Sequence, residues 1–169
     1  MFQLAQVNIA RAAASMESDQ MADFVARIEE INRLAESSPG YVWRYTGAAD
    51  AETLAPLAHY LDSFEPDRLL FNLSVWTEPQ RLRDYLYRTA HAELIAARKK
   101  WFLPLDANKA KPSVALWWIP TGTIPTVAEA AQRLTALQEN GPTVFAFSLR
   151  QTFEAPRAQH GLTRGLTRS

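Results

Sequence analysis

Polar and apolar residues alternate along residues 2–9, so that Ala5, Val7 and Ile9 share one face of a strand and Leu4, Gln6 and Asn8 the other. The period then changes to that of a helix. Met21, Phe24, Val25, Ile28, Ile31, Leu34 and Ala35 recur at helical spacing over residues 19–37, with Glu29, Glu30 and Arg33 on the wet side. Ser18 or Asp19 can cap its start, and Pro39-Gly40 stops it. Tyr41 to Tyr45 predicts a second strand with its three aromatics on one face. Residues 47–67 are irregular, with a short helix expected over 51–62 after Asp50. Leu69 to Trp76 is the clearest strand: Leu69, Phe71, Leu73 and Val75 on one face, Leu70, Asn72, Ser74 and Trp76 on the other.

Thr77-Glu78-Pro79-Gln80 has the form of a capping box, with proline in the first turn. Its helix runs toward Tyr87, breaks near Thr89 and resumes to about Phe102. Val114 to Ile119 is a fourth strand, and Thr126-Val127-Ala128-Glu129 opens a helix that Asn140-Gly141-Pro142 ends. Residues 143–149 form one more extended segment. The order strand, helix, strand, strand, helix, strand, then a further helix, predicts an α+β, ferredoxin-like βαββαβ domain over residues 1–153. Its antiparallel sheet should be covered by helices on one face. Residues 154–169, rich in Gly, Arg and Thr, are expected to form a flexible, dispensable polar tail.

If helices cover the face bearing Leu69, Phe71, Leu73 and Val75, the other face carries Gln6, Asn8, Tyr41, Trp43, Tyr45, Asn72, Ser74 and Trp76. Large aromatics interleaved with neutral amides suit a partner sheet or an enclosed ligand cavity rather than water. A homodimer packed through that face is therefore expected.

Composition narrows the function classes. Lys plus Arg and Asp plus Glu are each 18, a formal net charge of +0, which argues against nucleic-acid or anionic-membrane partners. Cys is 0, which removes disulfides, thiolate metal sites and cysteine nucleophiles. No apolar run approaches a membrane span, and residues 1–10 lack the pattern of a signal peptide, so a cytoplasmic protein is expected. Metal-ligand spacings, a phosphate loop and a nucleophile elbow are all missing.

The chemistry-bearing candidates are few. On a continuous helix Asp84, Tyr87, His91, Leu94, Ile95, Arg98 and Phe102 form one mixed stripe of the kind found at a cavity rim. His91 there can shuttle protons near neutral pH, and Arg98 can hold a substrate anion. Trp43, Asn72, Ser74, Trp76, Tyr87 and Trp117 are the expected binding residues, the indoles stacking a flat ring. Trp117-Trp118 puts one indole on each sheet face.

Asn72-Leu73-Ser74-Val75-Trp76-Thr77-Glu78, then Leu82, then Arg88-Thr89-Ala90-His91, resembles the strand-to-helix signature of the dimeric α/β-barrel superfamily. That superfamily includes antibiotic-biosynthesis monooxygenases, haem-degrading oxygenases and the chlorite dismutase group. The chain as a whole resembles domain-of-unknown-function family 3291 over residues 2–149. The likeness rests on Leu4-Ala5-Gln6-Val7-Asn8, the Leu69–Trp76 strand, His91-Ala92-Glu93, Trp101-Phe102, Leu116 to Pro120 and Pro125 to Ala130. The resemblance implies a dimeric barrel, with Asn8 in the place of a functional first-strand asparagine. It further implies a monooxygenase-like enzyme, cofactor-independent or haem-dependent, acting on an aromatic or polycyclic molecule. The alternative is a non-catalytic dimeric protein that binds a hydrophobic small molecule or haem. The chain departs from the haem-degrading pattern at two places: their functional Trp falls where this chain has Tyr85, Leu86 and Tyr87, and their haem-ligating His falls near Ala96 rather than at His91.

Overall fold

The computed structural model describes residues 1–157 except Ala107 and Lys109. The expected tail therefore lies mostly outside the described residues; Glu154 to Arg157 have no regular structure. The strands are β1 (Phe2–Ala12), β2 (Tyr41–Arg44), β3 (Leu69–Trp76), β4 (Phe102–Leu103) and β5 (Val114–Pro120). The helices are α1 (Ala22–Ser37), α2 (Pro79–Arg88), α3 (His91–Ala97) and α4 (Val127–Asn140). No helix among the described residues is long and apolar enough to cross a membrane.

β1 is the centre of an antiparallel sheet of order β2-β3-β1-β5, and the short β4 continues the β5 edge. This is the ferredoxin-like α+β arrangement. The register runs from Leu4 opposite Trp76 to Arg11 opposite Leu69, so Gln6 faces Ser74 and Asn8 faces Asn72. Residues 143–149 run beside β5, joined by two backbone hydrogen bonds between Leu116 and Phe147 of 2.8 and 2.9 Å. Phe153 closes this edge, its carbonyl accepting Trp118 Nε1–H at 2.8 Å.

Helices cover both faces of this sheet, and the crossover helices take the face opposite to the expected one. Phe24, Ile31, Leu34, Ala35, Leu82 and Tyr85 of α1 and α2 pack toward Leu4, Leu70, Trp76 and Leu116. Handedness decides this: right-handed crossovers put both helices on one side of the sheet whichever face is more apolar. The face of Ala5, Val7, Ile9, Leu73, Val75 and Trp117 is buried instead by Ala130, Ala131, Leu134 and Leu137 of α4 and by Leu54, Leu57 and Tyr60. The aromatic and amide face is thus covered within one chain by α1, α2 and α3.

Local signals explain most boundaries. Gly40 makes the turn from α1 into β2 at a φ of 85°, and a β-carbon there would run into the Arg81 side chain and Thr77 Oγ1. Thr126 caps α4 as expected, Oγ1 accepting Glu129 N–H at 3.1 Å. Thr77 does not cap α2; Glu78 occupies the N-cap with no side-chain bond. The segment after Asp50 holds only a single 3₁₀ turn, Ala55–Leu57, where prolines 56 and 66 prevent a longer helix.

Leu134 is fully buried on the inner side of α4. Leu134→Ala should therefore cost about 2–5 kcal/mol of unfolding free energy, measured by urea denaturation. A loss below about 1 kcal/mol would mean that α4 does not close this face.

Candidate functional site

Between the sheet and α1, α2 and α3 lies a cavity of about 750 Å³. It opens where the strand residues are polar: Gln6, Asn8, Asn72 and Ser74 hold the middle of this face, and the cavity lies over them. Phe24, Ile28 and Ile31 of α1 form an apolar wall, and Phe102 to Leu105 close one end.

A run of three rings in contact, from Trp76 of β3 through Tyr85 of α2 to His91 of α3, borders the cavity. Trp76 lies nearly parallel to Tyr85, centroids 5.1 Å apart at 24°, and Tyr85 contacts His91 at 4.9 Å and 52°. Tyr41 meets Trp76 edge-on at 5.7 Å. Trp76 Nε1–H donates to Ser74 Oγ at 3.0 Å, and Ser74 donates in turn to Gln6 Oε1 at 2.7 Å. Burial pushes the Tyr85 hydroxyl pKa upward, so this group stays protonated at neutral pH.

His91 owes its position to the helix break. Thr89 Oγ1 donates to the Tyr85 carbonyl at 2.5 Å and accepts the His91 backbone N–H at 3.3 Å, closing α2 and starting α3. Desolvation pulls the imidazole pKa below its ordinary value, opposed by a weaker interaction with the Leu86 backbone carbonyl. Nδ1 is buried without a hydrogen-bond partner of good geometry, leaving Nε2 as the nitrogen able to meet a ligand.

The structure brings Asn8, Asn72, Ser74, Trp76, His91 and Arg98 together along this one cavity. It does not bring Trp43, Tyr87 or Trp117 there. Register shifts between Tyr41 and Trp43, so that Tyr41 pairs with Trp76 but Trp43 with Val75. The bulge moves Trp43 to the α4 side, where it joins Trp117. Trp117 donates Nε1–H to Glu129 Oε1 at 3.0 Å and is fully buried in that second core. Tyr87 is 59% exposed, because α2 turns Leu82 and Tyr85 inward and leaves Tyr87 on its outer side, while the break at Thr89 and Ala90 gives His91 a different phase. Tyr85 and Leu86 line the cavity in its place. Tyr85 and Gln6 line the cavity but are not among the expected binding residues, although Gln6 is on the face expected to bear it. Gln6 could have been found from its alternation with Asn8, and Tyr85 from its place opposite the functional Trp of the haem-degrading pattern.

Among the described residues no group of three or more His, Cys, Asp or Glu is placed to hold a metal ion. His91 is the only histidine lining the cavity among the described residues. A haem-ligating imidazole ordinarily donates its other N–H firmly to a carbonyl or carboxylate, whereas Nδ1 of His91 has no partner of good geometry and the ring only a weak interaction with the Leu86 carbonyl. A second cavity of about 330 Å³ is built around ion pairs: Glu65 binds Arg68 at 3.1 Å and Arg11 at 3.4 Å, and Arg68 also donates to the Ala12 and Ala13 carbonyls.

Two solved structures resemble this one, each with a TM-score of 0.42. A protein of unknown function from Nitrosomonas europaea, NE2512, is 12% identical, the match covering 75% of this chain and 97% of the other. A protein from Chloroflexus aurantiacus J-10-fl, provisionally described as an antibiotic biosynthesis monooxygenase, is 17% identical, the match covering 73% of this chain and 98% of the other. No curated protein matches the chain. The family model described as domain of unknown function DUF3291 matches residues 3–163, and the chain belongs to that family.

Proposed function

We propose that the cavity binds a flat aromatic or polycyclic small molecule and that the chain is a cofactor-independent, monooxygenase-like enzyme with His91 as its base. The observation that carries this reading is the run of ring contacts Trp76–Tyr85–His91 lying along the same cavity as Asn8 and Asn72. A ring system lies favourably against such a run. An imidazole held neutral by its surroundings takes a proton from a bound ring methylene or phenol, and the anion spreads over the rings. Asn8 and Asn72 donate amide N–H groups to the developing oxyanion, and Arg98 at the rim meets an anionic substituent.

An electron-rich anion of this kind reduces oxygen itself. Two C–H bonds of the methylene break, one oxygen atom becomes the carbonyl oxygen of the product, and the other leaves as water. All four electrons come from the substrate, so no external reductant enters. The proton that His91 takes passes to the departing water.

Anthrone under air is a suitable probe: oxygen consumption should equal the substrate converted, and His91→Ala should slow it about a hundredfold or more. The same variant should change unfolding free energy by only about 1 kcal/mol. Undiminished oxygen uptake in the variant would remove His91 as the base. Ring binding with no uptake in the unaltered protein would leave a binding module instead of an enzyme.

The His91 pKa is held below 6.5 by burial. Because the base works only when neutral, kcat/KM should stay level as pH falls to 6.5 and decline only at more acidic values. A midpoint at or above 6.5 in the pH–rate profile would contradict this. Stability has the same sign: below 6.5 the unfolded chain takes up a proton at this position before the folded one does. Unfolding free energy should therefore fall as pH drops from 6.5 toward the folded pKa, and His91→Gln should flatten that part of the curve.

A further inference from the structure

Gln6 stands in the middle of β1, opposite Ser74, is only 5% exposed and lines the cavity. Its amide orientation follows from its neighbours. An indole N–H can only donate, so Ser74 Oγ accepts from Trp76 and sends its own proton to Gln6 Oε1. The amide oxygen is thereby turned to Ser74, and Nε2 keeps two N–H donors that no described residue accepts. These donors face the cavity, where a ligand can supply the acceptor.

The charges around the cavity point the same way. Arg44, Arg98, Lys99 and Lys111 line it, and no Asp or Glu does among the described residues. Arg44 and Lys111 are paired with Glu36 at 2.7 Å and Asp62 at 2.8 Å. Arg98 and Lys99 have no carboxylate partner among the described residues. The chain as a whole carries 18 basic and 18 acidic residues, so this bias is local to the cavity.

Building on the aromatic-ligand reading, we infer that the cavity selects a ring compound whose oxygen is ionised, a phenolate, with Gln6 Nε2 donating to that oxygen. Donors aimed at the charged form and nearby cations both favour it. A ligand with an ether in the same place accepts only weakly from Gln6 and gains nothing from the cations.

4-Nitro-1-naphthol, whose anion is coloured, and its methyl ether test this directly. The naphthol should bind at least about tenfold more tightly than the ether, and its apparent pKa should fall by about one unit on binding, which is the same free energy. Gln6→Glu keeps an acceptor for Ser74 but removes both donors, so it should abolish the preference and raise the bound probe's pKa above that in water. Where that buried change unfolds the protein, the double variant Arg98→Gln with Lys99→Gln alters only exposed side chains and should narrow the ratio of naphthol to ether affinity. Equal affinity for naphthol and ether in the unaltered protein would overturn the phenolate selection while leaving the aromatic cavity in place. Failure of both probes to bind would overturn the cavity reading and this one with it.

Discussion

A sheet that is apolar on one face and aromatic on the other has to be covered twice, and two right-handed crossovers supply only one cover. In this chain α1 and α2 lie over Leu4, Trp76 and Leu116. The opposite face would then leave Val7, Leu73, Val75 and Trp117 in water. At roughly 25 cal/mol per Å² of apolar surface, an exposure of that extent outweighs the margin by which small domains are stable. The fourth helix and the segment around Leu54, Leu57 and Tyr60 provide the second cover. The hydrogen bonds from Trp117 to Glu129 and from Glu129 N–H to Thr126 tie the start of α4 to the strand beneath it.

The cavity exists because the two covers differ in quality. Under α4 the strands present Val, Leu, Ile and Trp, and the helix packs directly on them. Under α1 and α2 the middle of the sheet presents Gln6, Asn8, Asn72 and Ser74. Helices cannot pack closely on amides and hydroxyls without desolvating them, so the apolar contacts gather at the two ends. Leu4, Trp76 and Leu82 pack at one end, and Phe24, Trp101 and Phe102 at the other. The polar middle stays open between them.

Within that space some polar groups are satisfied internally and others are not. The Trp76–Ser74–Gln6 chain consumes one donor after another and so gives the floor a single orientation. Nδ1 of His91 breaks the rule that buried polar groups find partners. Departures of that kind gather where a molecule has a task other than stability.

Strand and helix identities were legible in the sequence because they depend on short-range periodicity. The alternation of Leu69 to Trp76 and the helical spacing from Met21 to Ala35 need no tertiary information. The association of Asn8, Asn72, Ser74 and Trp76 was legible for the same reason, since residues of one parity in paired antiparallel strands share a face. Three decisions belonged to the tertiary structure. Crossover handedness chose which face the helices cover, and that is a property of the chain's path, not of any residue. A single bulged residue, Val42, carried Trp43 to the other face, which no alternation pattern could reveal. The break at Thr89 set the phase of α3 apart from that of α2, so Tyr85 rather than Tyr87 came to lie beside His91. Periodicity assigns a side chain to a face of its own element; only packing between elements decides what that face meets.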